Sequence, residues 1–384
     1  MTQYTVVGIL VFSFLGNLQA MQDSSTSQAG TWTAQIGEAV EEAIEKGKMP
    51  GAVICIGNGN GIVYQQAFGL RSLRPTKQPM ELTTLFDLAS LTKPIATATS
   101  IMVLLEEGKV RIRDSVPTYL PEFGQNGKRS ISVRQLLTHT AGLIPDNPLS
   151  DYQQGPQKAI QKINELKPVW DPGSRFAYTD VGFIALGEIV RQQSGMSLDE
   201  FARTRIFEKL KMRETGFRPP ETLSRRAAVT EMRNGKWMRG EVHDPRAYQL
   251  GGVAGHAGLF STAADLSRYC RMMLAGGELE GQRVLSPATV REMTAARELP
   301  GGAQRGFGWD KLSPYSSNRG ELMSGAAYGH GGFTGTSLWI DPQLDLYVIF
   351  LSNRVHPDGK GSVNRLAGRI GTIAAAEFSR RSSR

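Results

Sequence analysis

Ser90-Leu91-Thr92-Lys93 sets a hydroxyl and an amine three residues apart. On a helix, positions i and i+3 share a face, so the Lys93 amine can reach the Ser90 hydroxyl. A free serine hydroxyl is a poor nucleophile at neutral pH and needs a neighbouring base. A lysine serves where burial or nearby positive charge leaves part of it neutral. Pro94 lacks an N–H and would clash with the carbonyl of Ser90, so the helix is expected to start at or near Ser90. A nucleophile there meets the positive end of the helix dipole, where backbone N–H groups can stabilise an oxyanion. Alone, the pattern also fits an exposed helix start, and its surroundings must decide.

The elements that would hold this pair lie on both sides of it. Thr33 to Lys48 have helical spacing and stop before Met49-Pro50-Gly51. Ala52 to Ile56 and Ile62 to Phe68 are β-prone runs joined by Gly57-Asn58-Gly59-Asn60-Gly61, a hairpin signal. The same glycines lack the Gly-Lys-Ser/Thr of a phosphate loop. A helical pattern runs from Ser90 to Gly108, and the interval from about Lys109 to Pro220 is mostly helical, with amphipathic stretches at Phe183 to Gln193 and Leu198 to Leu210. Thr336 to Ile340 and Leu346 to Leu351 flank Asp341-Pro342-Gln343 as a second hairpin, and a last helix covers about Ser362 to Ser379. Hairpins near both ends with helices between predict an α/β (α+β) fold, with one antiparallel sheet built from both chain ends, flanked by helices, and an inserted, mostly helical region. The expected division is a leader over 1–20, a sheet domain from 30–108 and 240–380, and a helical inserted domain over 109–239.

Composition narrows the function. The 384 residues, 40% hydrophobic and 21% charged, make an ordinary globular chain of about two domains. The net charge of +8 comes from scattered Lys and Arg, which argues against a nucleic-acid partner and leaves peripheral contact with an anionic envelope polymer open. The first twenty residues carry no charge, and Val6 to Leu15 form an apolar run ending near Gly16, Asn17 and Ala20. That pattern fits a secretory leader too short to span a bilayer, placing the mature protein in the periplasm or outside the cell, with no transmembrane anchor after leader cleavage. Cys55 and Cys270 alone exclude a disulfide framework or a thiol metal cluster, and their apolar settings favour buried free thiols over a single bridge.

Around Ser90, the segments Thr84 to Lys93, Glu106 to Val110, Asp114, Tyr119-Leu120-Pro121 and Ile131 to Leu143 resemble the penicillin-binding protein and class C β-lactamase superfamily of serine hydrolases, which implies a β-lactamase/transpeptidase-like fold. Tyr178-Thr179-Asp180 stands where this group commonly has Tyr-Ser-Asn. The resemblance implies that Tyr178 shuttles a proton between Ser90 and the leaving group, its phenolate stabilised by Lys93. Asp180 departs from the commoner asparagine. A carboxylate cannot donate as an amide does, and it would hold Lys93 charged more strongly. His330-Gly331-Gly332, leading into Phe333-Thr334-Gly335-Thr336, resembles the Lys-Thr-Gly or His-x-Gly strand of the far pocket wall. Carried over, the Phe333 N–H joins the Ser90 N–H as the oxyanion hole, and Gly332 lets substrate approach closely. His330 in place of lysine fits esterases and peptidases of the group better than a dedicated lactamase. Further likeness through Phe207 to Met212, His243-Asp244, Gly251 to Thr262 and Leu351 to Pro357 points to the penicillin-binding protein 4B type.

The remaining chemistry is bland. His139 reads as structural, His243 and His256 as structural or rimming the pocket, and His356 as a loop hydrogen-bonder. None has metal-ligand spacing, so no metal and no cofactor is expected. Glu106-Glu107 and Asp199-Glu200 point apart on helices and do not make a glycosidase pair. The expected reaction is acyl transfer to water through Ser90, on D-amino-acid cell-wall peptides, related amides and esters or, weakly, β-lactams. A small-molecule esterase and a non-catalytic muropeptide-binding protein are the alternatives.

Overall fold

The structure, a computed structural model, describes residues 1–2 and 31–382, so the expected leader falls almost wholly outside the described residues. Nine strands form one antiparallel sheet: β1 (Gly51–Asn58), β2 (Gly61–Ser72), β3 (Gln78–Pro79), β4 (Arg297–Glu298), β5 (Gln304–Arg305), β6 (Asp310–Leu312), β7 (Tyr328–Gly332), β8 (Thr336–Asp341) and β9 (Leu346–Ser352). Their spatial order is β4-β5-β6-β7-β8-β9-β1-β2-β3. The N-terminal hairpin and the C-terminal strands meet where β1 pairs with β9, Ile54 opposite Phe350 and Cys55 opposite Ile349.

Side chains alternate across this junction, as strand geometry requires, and both faces are buried. Ala52, Ile54 and Ile56 of β1, with Val348 and Phe350 of β9, pack under helix α1 (31–45) and the C-terminal helix, represented by Trp32, Ile36, Ile370 and Phe378. Val53, Cys55, Ile349 and Leu351 face the opposite way, into a larger core. That core takes in α2 (Thr99–Glu106), α3 (Asp180–Ser194) and α4 (Ala263–Leu274). The C-terminal helix, α5, runs Asn364–Ser382. Cys55 and Cys270 are free and buried, and burial pushes the Cys55 thiol up to about 12. Among the described residues, no helix is long and apolar enough to cross a membrane.

Two sequence expectations need adjusting. The helix does not run smoothly from Ser90. A tight 3-10 turn, Ala89–Leu91, leads into a wider π-type stretch, Lys93–Ala98, before α2 begins. Pro94 contributes no N–H there, and its carbonyl accepts from the N–H of Thr99, five residues on. The interval after residue 109 also holds more than helices. Gly216–Phe217 joins Phe86–Asp87 and Leu259–Ser261 in a small sheet, and Val229–Arg233 pairs with Lys236–Arg239.

Candidate active site

The chain before Ser90 is pinned from two directions. Leu88 donates its N–H to the Leu259 carbonyl at 2.9 Å, and Leu259 donates to the Thr92 hydroxyl at 3.1 Å. The Asp87 carboxylate accepts from the N–H groups of Ala89 (2.8 Å) and His243 (2.6 Å). From the sheet side, the Thr334 hydroxyl donates to the Asp87 carbonyl at 2.7 Å and that of Thr336 to the Leu88 carbonyl at 3.1 Å. Gly332 makes this approach possible, because a Cβ there would run into Thr336 Oγ1 and the Leu88 carbonyl. Ala89, one residue before the nucleophile, is held at φ +46°, a strained value for a non-glycine residue. These contacts put Ser90 and Phe333 on one cavity of about 300 Å³.

Lys93 is completely buried. Its Nζ lies 2.9 Å from Ser90 Oγ, 2.6 Å from Asp180 Oδ1 and 3.2 Å from the carbonyl of His256, and 4.8 Å from the centre of the Tyr178 ring. Burial by itself pulls the amine down, but the Asp180 carboxylate and Tyr178 outweigh it, so Lys93 sits above the ordinary lysine value and is charged. Asp180 reaches it from the first turn of α3, where the helix dipole favours a carboxylate. The tyrosine is fixed by its neighbours in sequence. Thr179 caps α3, and its N–H donates to His139 Nδ1 at 3.1 Å, while Ala177 donates to the His139 carbonyl at 2.9 Å. The His139 ring then stacks on Tyr178 at 4.4 Å. Burial pushes the Tyr178 phenol above its usual value; Lys93 pulls it down and Asp180 pushes it back up.

His330 stands on β7, its ring 5.9 Å from that of Tyr178. Its Nδ1 donates to the Gly331 carbonyl at 2.7 Å, leaving the Nε2 lone pair buried and without a partner. Burial, then Arg305 and Lys93, holds this imidazole well below its ordinary value, so it is neutral. Phe333 is 61% exposed, stacked on His243 at 5.5 Å, and its carbonyl accepts from Arg354.

All seven residues singled out in the sequence, Ser90, Lys93, Tyr178, Asp180, His330, Gly332 and Phe333, therefore gather here. Two histidines considered for the rim do not line the cavity. His256 is buried behind Lys93 with its Nε2 2.9 Å from Asp244, and His243 pairs with Glu231. His356 bonds loop backbone at Leu73, Arg74 and Thr230, as expected. Sequence reading missed Arg305, Asp310, Tyr315, Asn318 and Arg354, which also line the cavity. The only local signal was Arg305 opening the glycine-punctuated run Gly306-Phe307-Gly308-Trp309. Among the described residues, Asp180, Asp244 and His256 bring potential ligand atoms within 4.8 Å of one another, but the Lys93 ammonium already supplies the positive charge there.

The β-lactamase family model matches residues 36–371. A Salmonella typhimurium protein named "Putative D-alanyl-D-alanine carboxypeptidase" is 30% identical, the match covering 88% of this chain and 87% of the relative. Two solved structures share the fold. EstCE1, described as a hydrolase with promiscuous acyltransferase activity, superposes with TM-score 0.74 at 23% identity over 91% of this chain and 99% of its own. A penicillin-binding protein homologue from Caulobacter crescentus gives TM-score 0.71 at 23% identity over 90% of this chain and 97% of its own.

Proposed function

This chain belongs to the β-lactamase family of serine hydrolases, and from that premise we propose that it is an exported D-alanyl-D-alanine carboxypeptidase-like enzyme that works through an acyl-enzyme on Ser90. The observation carrying the mechanism is the buried chain of contacts Ser90 Oγ, Lys93 Nζ, Asp180 Oδ1, at 2.9 and 2.6 Å. With Lys93 held charged, it cannot accept the Ser90 proton outright. It accepts that proton while handing one of its own to Asp180, so the ammonium stays charged and the carboxyl becomes neutral. Ser90 Oγ bonds to the substrate carbonyl carbon, and the N–H groups of Ser90 and Phe333 stabilise the oxyanion, at about 3 kcal/mol per donor. Tyr178 gives its proton to the departing amine, and the phenolate recovers one from Asp180 through Lys93. Water then repeats the sequence in reverse to release the acyl group.

Support for the substrate class comes from the carboxypeptidase named among the relatives and from the further sequence likeness to the penicillin-binding protein 4B type. The apolar run Val6 to Leu15 supports export, and the +8 charge fits contact with an anionic envelope. Incubation with a peptide ending in D-Ala-D-Ala should release D-alanine, and Ser90→Ala should abolish that release. Asp180→Asn should cost about a hundredfold in kcat at neutral pH. It should also create an activity limb that rises with pH, because Lys93 must then lose its proton to act as the base. Unchanged kcat and an unchanged pH profile in Asp180→Asn would remove the carboxylate from the proton path.

One observation favours a second reading. A neutral His330 on the pocket wall gives a substrate carboxylate less purchase than a lysine would, which suits small esters. Rapid turnover of a 4-nitrophenyl ester with no D-alanine released from the peptide would select that reading.

A further inference from the structure

Asp87 is a buried carboxylate to which the proton path gives no task. Its two oxygens serve different parts of the chain. Oδ1 accepts from the N–H of Ala89, one residue before Ser90, at 2.8 Å, and Oδ2 accepts from the N–H of His243 at 2.6 Å. Burial pushes this carboxyl up, and the two N–H bonds pull it back. The main chain of the same residue reaches a third segment, its carbonyl accepting from the Thr334 hydroxyl at 2.7 Å.

Both remote partners flank Phe333. The His243 ring stacks on the Phe333 ring at 5.5 Å with 28° between the planes, and its Nε2 lies 2.5 Å from Glu231. Thr334 is the next residue along the chain. Phe333 itself is 61% exposed, in a turn closed by the Gly335 N–H on the Gly332 carbonyl at 3.0 Å, so core packing does not fix it. The other limb needs fixing too. The Ser90 N–H belongs to the peptide that follows Ala89, so the backbone angles of Ala89, held at φ +46°, aim it. Oxyanion stabilisation depends on donors that are in place before the charge develops.

We propose that Asp87 is a positioning residue for the oxyanion hole, one carboxylate setting the separation of the Ser90 and Phe333 N–H groups through Ala89 on one oxygen and His243 on the other. This inference rests on the acyl-enzyme reading, in which those two N–H groups receive the oxyanion, and deepens it by naming the brace between them. An asparagine has the same shape but only one accepting oxygen. Its NH2 would face one of the two N–H groups and force that limb away.

The test uses the purified full-length chain and two 4-nitrophenyl esters with the same acyl part, one an ordinary ester and the other its thiono analogue, in which sulfur replaces the carbonyl oxygen. A hole built for oxygen should make wild type acylate faster with the ordinary ester, by about a hundredfold or more. Asp87→Asn should lower kcat on that ester by about tenfold to a hundredfold, with KM within about twofold and the thionoester within about threefold, so that the discrimination shrinks. His243→Ala keeps the backbone N–H on Asp87 and removes only the ring behind Phe333. It should shrink the discrimination in the same direction by about threefold to tenfold, and it carries the test if the asparagine variant does not fold. Equal losses on both esters in the variants, or unchanged discrimination, would overturn the role of Asp87 while leaving the hole and Ser90 intact. Wild type that acylates equally fast with both esters would overturn the hole itself, and wild type that acylates with neither would overturn the acyl-enzyme reading.

Discussion

Lys93 and Arg305 are the two fully buried cations beside Ser90, and the protein treats them in opposite ways. The lysine donates to a hydroxyl and a backbone carbonyl and has a carboxylate oxygen at 2.6 Å. The arginine has a carboxylate close by and not one hydrogen bond. Burying a charge is tolerable when its donors are satisfied, so Lys93 is part of the fold's own stability as well as of its chemistry. Arg305 lacks that compensation, since none of its guanidinium nitrogens has a hydrogen-bond partner. One cation has its donors met inside the fold, and the other does not.

The comparison can be broken most severely at the lysine. Lys93→Met should reduce kcat by about a thousandfold and destabilise the fold by about 2–3 kcal/mol, because it leaves the Asp180 carboxylate without its partner. Kinetics with a thioester and a thermal melt read both effects. Next is the seam that holds the two walls together. Gly332→Ala forces a methyl into Thr336 Oγ1 and the Leu88 carbonyl, and should cost about 1–3 kcal/mol together with slower acylation.

The pH dependence of stability sharpens the role of the two cations as neighbours. His139 and His330 are held well below the ordinary imidazole value, first by burial and then by Arg305 and Lys93. The unfolded chain takes up these protons as pH falls below about 6.5 and the folded chain does not, so the two histidines' contribution to stability should be level above that value and drop below it. The slope should approach about 1.4 kcal/mol per pH unit for each histidine, and His330→Gln should remove its share. Chemical denaturation at pH 7.5 and pH 5.5 measures this. The smallest effect is expected at the arginine itself. Arg305→Met removes an unsatisfied charge but leaves the buried Asp310 carboxylate with only the Ser316 hydroxyl, so the two effects oppose each other and the net change in a thermal melt should stay within about 1 kcal/mol.

The contrast also explains what the sequence disclosed. Ser90 and Lys93 are three residues apart, and Pro94 limits where their helix can begin, so their contact was legible from local geometry. The sheet was legible because Ala52–Ile56 and Leu346–Leu351 are short β-prone runs beside strong turn signals, although only the structure shows that β1 pairs with β9. The residues Tyr178, Asp180, His330 and Phe333 came from motif likeness, because nothing local says that two distant segments will face Ser90. Arg305 gave no such sign. Its meaning lies in donors left unbonded, a property of the folded packing that no spacing encodes. The smooth helix expected after Ser90 failed for a related reason: the hydrogen-bond pattern of Lys93–Ala98 is shifted by one residue, which periodicity does not register.

Covalent labelling tests the nucleophile at the centre of this account. The protein, incubated with a fluorescent penicillin and separately with a fluorophosphonate, is digested and mapped by mass spectrometry. One adduct per chain on the peptide carrying Ser90, lost in Ser90→Ala and strongly slowed in Lys93→Met, is the expected result. An adduct on another residue, or undiminished labelling of Ser90→Ala, would contradict it.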